Sequence, residues 1–129
     1  MMNDHEMIEA FLETFLCYRN AYDEHMEKYG ELLQHVFYPE VITDPLIELL
    51  ERETDTPVIS TYTGFIERMW REGDESVRNV VDVTILERLS DDRKVWNRFG
   101  KYISDEFKNY INTEWIENNI AISGIDSLE

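Results

Sequence analysis

The chain has 129 residues, 43% of them hydrophobic and 12% aromatic, and its 12 Lys and Arg face 28 Asp and Glu for a formal net charge of -16. That is one domain with enough apolar and aromatic surface to offset the entropy of ordering, which excludes a disordered acidic chain. The same charge repels nucleic acid and anionic membrane and draws in basic protein surfaces.

Helical periodicity runs through the chain. Ile8, Phe11, Leu12, Phe15, Tyr18, Tyr22 and Tyr29 recur at three- and four-residue steps and predict one long N-terminal helix, ended by Gly30 in a left-handed conformation. Cys17 lies beside this stripe and is expected to pack as a small hydrophobe. A short helix over 31–37 is expected to stop before Pro39. Asp44-Pro45 and Thr56-Pro57 each put a capping side chain before a proline, which predicts two helix starts. From Pro57 the apolar positions run to Trp70, with Gly64 read as a close-packing position and Gly73 as the stop. Asp74 then caps a helix carrying Val77, Val80, Val81, Ile85, Leu86 and Leu89. Ser90 opens the next, with Val95, Trp96 and Phe99 inward, and Ser104 opens the last, through Phe107, Tyr110, Ile111 and Trp115. The three tryptophans fall at core spacing. Short connections predict antiparallel neighbours, so the expected architecture is all-α: stacked antiparallel helical hairpins, a HEAT-like α-α superhelix, with the long N-terminal helix at one end. A single domain over 1–129 follows, with 119–129 as a fraying tail.

No chemistry is spelled out by a motif. The chain lacks a phosphate loop, a dinucleotide fingerprint and a hydrolase elbow, and no pair of carboxylates stands out as sharing an apolar pocket. The pairs His5-Glu6 and Glu24-His25 are adjacent, so on a helix they point about 100° apart and cannot chelate one ion. One cysteine excludes an internal disulfide and a cysteine-based zinc site. A non-enzyme without metal or cofactor is expected. With no apolar run near the roughly 20 residues of a membrane span and no basic, then apolar, N-terminus, a cytoplasmic location is expected as well.

The charge is uneven, and this is where function is legible. Residues 1–57 hold three bases, Arg19, Lys28 and Arg52, against 14 acids, whereas 58–108 hold nine bases against ten acids. Glu6, Glu13, Glu24, Glu27 and Glu31 recur at helical spacing on the face opposite the aromatic stripe, and Glu40 and Glu48 extend the field onto the next helices. Only Lys28 is close enough to offset them through the i,i+4 pairs of ordinary surface helices. These seven glutamates are the candidate contact residues for a basic protein partner.

From Pro45 to Tyr110 a family pattern emerges, sharpest in GDESVRNVVDVTILERLSDD, where Asp74 opens a helix, Val77 to Asn79 begin it, and Leu86-Glu87 with Leu89 close it before an acidic turn. This segment resembles the hallmark of a family of small helical bacterial proteins encoded beside polymorphic and contact-dependent toxin genes. The resemblance implies an immunity role: a cytosolic protein that binds and blocks a cognate toxin. With the acidic field, the expected toxin is a basic one, such as a nuclease, neutralised by association. The alternative left open by the residues is an acidic helical adaptor or regulator that holds a peptide or partner helix and has no link to a toxin.

Overall fold

The computed structural model describes residues 1–118, and within them the chain is all-α. Seven helices follow one another: α1 (Asp4–Thr14), α2 (Arg19–Tyr29), α3 (34–52), α4 (Thr56–Glu72), α5 (75–89), α6 (Arg93–Gly100) and α7 (105–118). No strand forms among the described residues. One isolated parallel bridge ties Met2 to Gly73. The expected tail over 119–129 lies outside the described residues.

The long N-terminal helix is two helices. Asn3 and Glu6 start α1 with a reciprocal capping box, and Met7, Ile8, Phe11 and Leu12 bury its inner face. At Phe15 the backbone leaves helical geometry (φ -118°, ψ 76°), and a single 3₁₀ turn, Leu16–Tyr18, redirects the chain into α2. Aromatic packing accounts for the break. Phe15 stacks on Phe11 at 4.9 Å and on Tyr62 of α4 at 4.7 Å, and the Tyr18 and Tyr62 hydroxyls meet at 2.6 Å. Reaching both partners leaves Leu16 78% exposed and turns Cys17 out to solvent, so the packed cysteine expected from the sequence is corrected.

Gly30 ends α2 in the left-handed region (φ 76°), as its position predicted. The next two expected boundaries do not exist. Instead of stopping before Pro39 and restarting at Pro45, α3 runs unbroken from 34 to 52 through a wide π turn at Pro39–Thr43. Asp44 has helical dihedrals and caps nothing. Pro45 offers no N–H, and its ring would crowd the carbonyl of Val41 in a regular α-helix. The wide turn just ahead, closed by the Asp44 amide on the Pro39 carbonyl, absorbs that conflict. After Arg52, Glu53 and Asp55 take left-handed conformations, and α4 starts at Thr56 with Pro57 in its first turn but without a side-chain cap.

Gly73 closes α4 because nothing larger fits. A Cβ there would lie 2.4 Å from the Met69 carbonyl and 2.5 Å from Cγ1 of Val77, while Met2 donates to Glu72 O and accepts from the Asp74 amide, both at 2.8 Å. Gly64, by contrast, is exposed with open space where a Cβ would stand, so its expected packing role is withdrawn. Asp74 caps α5 through the Val77 amide at 3.0 Å. This helix contains a second wide turn, Val81–Ile85, in which the Leu86 amide reaches back to Val81; the bypassed Asp82 carbonyl accepts from Nε1 of Trp115 at 2.9 Å. Asp92, not Ser90, caps α6, accepting from the Lys94 and Val95 amides. Ser104 caps α7, as expected, and α7 includes a third wide turn at Ile111–Trp115.

Sequential helices α3 to α6 pack as neighbours, and α6 returns onto the second half of α3. The core between them is continuous, with Phe11, Phe37, Leu46, Ile66, Leu86, Trp96, Phe99 and Phe107 essentially inaccessible to solvent. Trp96 and Trp115 are buried as expected, and Trp70 lies half-buried on Phe107 at 4.7 Å.

Candidate protein-binding face

All seven glutamates singled out by spacing are exposed, but the break at Phe15 removes the single stripe. Glu6 is occupied in the α1 capping box, accepting from the Asn3 amide at 3.0 Å. Glu13 stays on α1, while Glu24 and Glu27 ride on α2 along another axis. Glu31 sits past Gly30 and lines a crevice between α1 and α2 with Asp4 and His5. Glu48 pairs with Arg52 at 3.6 Å in full solvent, a contact of about 0–1 kcal/mol.

Two of the seven do converge. Glu24 of α2 and Glu40 of α3 line one open groove of about 440 Å³, joined by Asp44, Lys28, His25, Tyr29 and Val36. Among the described residues no ion pair forms at Glu24 or Glu40, whereas Asp44 is held by Arg88 of α5 at 2.7 Å. Glu53, farther along, is matched by Arg98 at 3.0 Å. The acidic field therefore survives at α2 and the first half of α3 and is partly neutralised beyond, because bases of the second half of the chain fold back onto α3. The sequence reading missed Tyr29 and Val36 as surface groups. They are 39% and 47% exposed here and give the groove its apolar contacts, with Lys28 lying 5.2 Å over the Tyr29 ring. Only the ending of the aromatic stripe at Gly30 hinted at it.

His25 anchors the groove's floor. It is 6% exposed, packs edge-on to Phe37 at 5.2 Å and against Tyr29 at 4.7 Å, and its Nε2 accepts the Leu33 backbone N–H at 3.0 Å.

Elsewhere, ionisable groups are bound into helix joints. Burial opposes the charge of Glu67, but hydrogen bonds from the Ser104 hydroxyl and amide and from Arg71 outweigh it and hold its pKa below the usual carboxylate value. Asp82 behaves oppositely: burial raises its pKa despite the Tyr110 hydroxyl donating at 2.8 Å and the nearby Arg78. Asp82 shares a recess with the exposed Glu75, yet its hydroxyl and indole partners both come from α7, so its contacts serve the α5–α7 joint. Among the described residues no three His, Cys, Asp or Glu side chains are placed to hold a metal, and no helix is long and apolar enough to cross a membrane.

A family model described as Domain of unknown function (DUF7674) matches residues 8–120. The chain belongs to the DUF7674 family. The match begins inside α1 and takes in α2 to α7, so the α2–α3 groove and the α5–α7 joint both lie in the DUF7674 domain, whose description assigns no activity. No curated protein and no solved structure is significantly similar to the chain.

Proposed function

We propose that this DUF7674 chain is a cytoplasmic binding protein that captures a basic protein in its α2–α3 groove, and that the partner is a toxin domain neutralised by the association. One observation carries the reading: Glu24 and Glu40 converge, without ion pairs, on a groove that also exposes Tyr29 and Val36. Unoffset carboxylates steer a cationic surface into place, and an exposed tyrosine with a β-branched neighbour supplies the desolvated contact that slows its departure. The toxin, and with it the immunity role, comes from the resemblance around Asp74 to Asp92. In this reading α3–α4 and α5–α6 are the two helical pairs of the HEAT-like frame, and the groove lies on its α2 side.

The test is a charge reversal, Glu24→Lys with Glu27→Lys and Glu40→Lys, measured against the basic protein captured from the native host. Association at low salt should slow by about tenfold or more and lose most of its salt dependence, as expected for steering by three charges. An unchanged rate refutes the groove as the docking face. Co-expression addresses the toxin: the captured protein should arrest growth alone and not beside the wild-type chain. A captured protein that is harmless by itself overturns the immunity role and supports an adaptor.

A further inference from the structure

The floor of the groove contains a device that its charge alone does not require. His25 is the buried histidine of the described residues, His5 and His35 being exposed. Its Nε2 accepts the Leu33 N–H at 3.0 Å, so that nitrogen carries no proton and Nδ1 carries the single one. Leu33 is the residue from which α3 starts, and α3 has no side-chain cap there. The imidazole thus ties the residue that opens α3 to α2 as a clamp, beside the Gly30–Met26 hydrogen bond and the packing of Leu32 on the core. An imidazolium has N–H groups at both positions and would turn one of them toward the Leu33 N–H.

We propose that His25 makes the α2–α3 groove proton-sensitive: a proton on Nε2 releases the segment that opens α3, so protonation and a cationic occupant of the groove exclude one another. The first half concerns the free chain; the second rests on the cation-binding reading above. The groups that line the groove with the ring are Glu24, Lys28 and Tyr29 of α2 and Glu40 and Asp44 of α3, Asp44 being paired with Arg88 of α5, while Glu31 of the linker lines the α1–α2 crevice. A partner's Lys or Arg placed among the groove carboxylates puts a positive charge beside His25 and repels a second one on the ring, so it favours the neutral imidazole and an intact clamp. By linkage the effect is reciprocal: protonating His25 weakens cation binding by the same factor.

The free chain tests the clamp. ¹⁵N spectra of the imidazole should show the proton on Nδ1 at pH 8. Hydrogen-exchange protection of the Leu33 amide, corrected for the intrinsic exchange rate, should fall about tenfold per pH unit once the pH drops below the range in which a solvent-exposed imidazole takes up a proton, and level off when the ring is charged, since each opening takes up one proton. His25→Gln, whose side-chain oxygen can accept the same N–H, should show protection independent of pH. A proton found on Nε2 at pH 8, or a ring that becomes charged while Leu33 protection holds, overturns the proposal even if the glutamine variant fails to fold. With the captured basic protein, wild-type affinity should drop about tenfold per pH unit once the ring of the free chain is charged, and that of His25→Gln should not. Hydrogen exchange on the free chain decides the clamp whether or not any partner binds, so failure of the docking reading and failure of the clamp give different results.

Discussion

Arg98 of α6 is predicted to hold the end of α3, and replacing it measures how much of the fold depends on that contact. One guanidinium nitrogen donates to the carbonyls of Leu50 and Glu51 at 2.8 and 2.9 Å, and the other meets Glu53 at 3.0 Å, with the arginine side chain only 21% exposed. Leu49's carbonyl is already taken by the amides of Glu53 and Thr54, so Arg98 serves the next two carbonyls, which have no helical donor, at the negative end of the helix dipole. A hydrogen bond to a charged donor contributes about 1.5–3 kcal/mol, but water can replace it at the exposed Glu51, and the half-exposed Glu53 pair adds about 0–1 kcal/mol. Arg98→Ala should therefore cost about 2–3 kcal/mol. At an unfolding entropy near 2.1 cal/mol/K per residue, a chain of this length loses roughly 4 °C of Tm per kcal/mol, so the expected drop is about 7–11 °C. Arg98→Lys keeps the charge but cannot span two carbonyls and should fall between the two. Thermal unfolding followed by circular dichroism reads this directly. A Tm within about 2 °C of wild type would mean that α3 ends without help from α6.

Gly73→Ala must displace both the Met69 carbonyl and Val77, and should cost about 2–3 kcal/mol in urea unfolding, whereas Gly64→Ala, exposed in mid-helix, should gain about 0.5–1 kcal/mol; equal effects would contradict the packing at Gly73. Asp82 has a folded pKa above its unfolded value, so its contribution is most favourable below the ordinary carboxylate pKa and is lost as pH rises through the folded value. Asp82→Asn keeps an acceptor for Tyr110 and removes the buried charge, so it should match wild type at pH 3 and be at least as stable at pH 7. A loss that grows with pH would show that the carboxylate is favoured by its site.

The two glycine stops and the Asp74 and Ser104 caps were legible because each is decided by one or two residues, whereas no helix starts at Asp44, α4 has no side-chain cap and Asp92 takes the place expected of Ser90. Asp74 and Ser104 bond the amides three residues on, and Gly30 and Gly73 end helices where they should. Apolar spacing likewise named the core of α5 from Val77 to Leu89. What failed was continuity. The stripe through Phe11, Phe15 and Tyr18 keeps its helical period across a break caused by Tyr62, 44 residues beyond Tyr18, which no local pattern encodes. At Pro39 and Pro45 the error ran the other way, since a wide turn lets a helix pass prolines that usually interrupt it. For the site, net charge located the acidic half of the chain. Which acids remain unpaired depends on Arg88 and Arg98 crossing from the second half to Asp44 and Glu53.

The same wide turn links the frame to the groove. Residues four apart lie on one face of a helix. Glu40 lies inside the Pro39–Thr43 turn and Asp44 follows it directly, and both line the wall facing α2. The stretch of α3 that accommodates Pro45 thus also carries the two carboxylates that line the groove with Glu24. It packs inward against the Val81–Ile85 turn of α5, whose free carbonyl is held by Trp115 from the third wide turn. The groove wall is consequently braced by buried contacts on its inner side, while its outer side keeps Glu40 exposed and unpaired. A braced wall lets a partner bind without first ordering the α3 surface, and the proposed His25 clamp would place the movable part of the site at the Gly30–Leu33 linker.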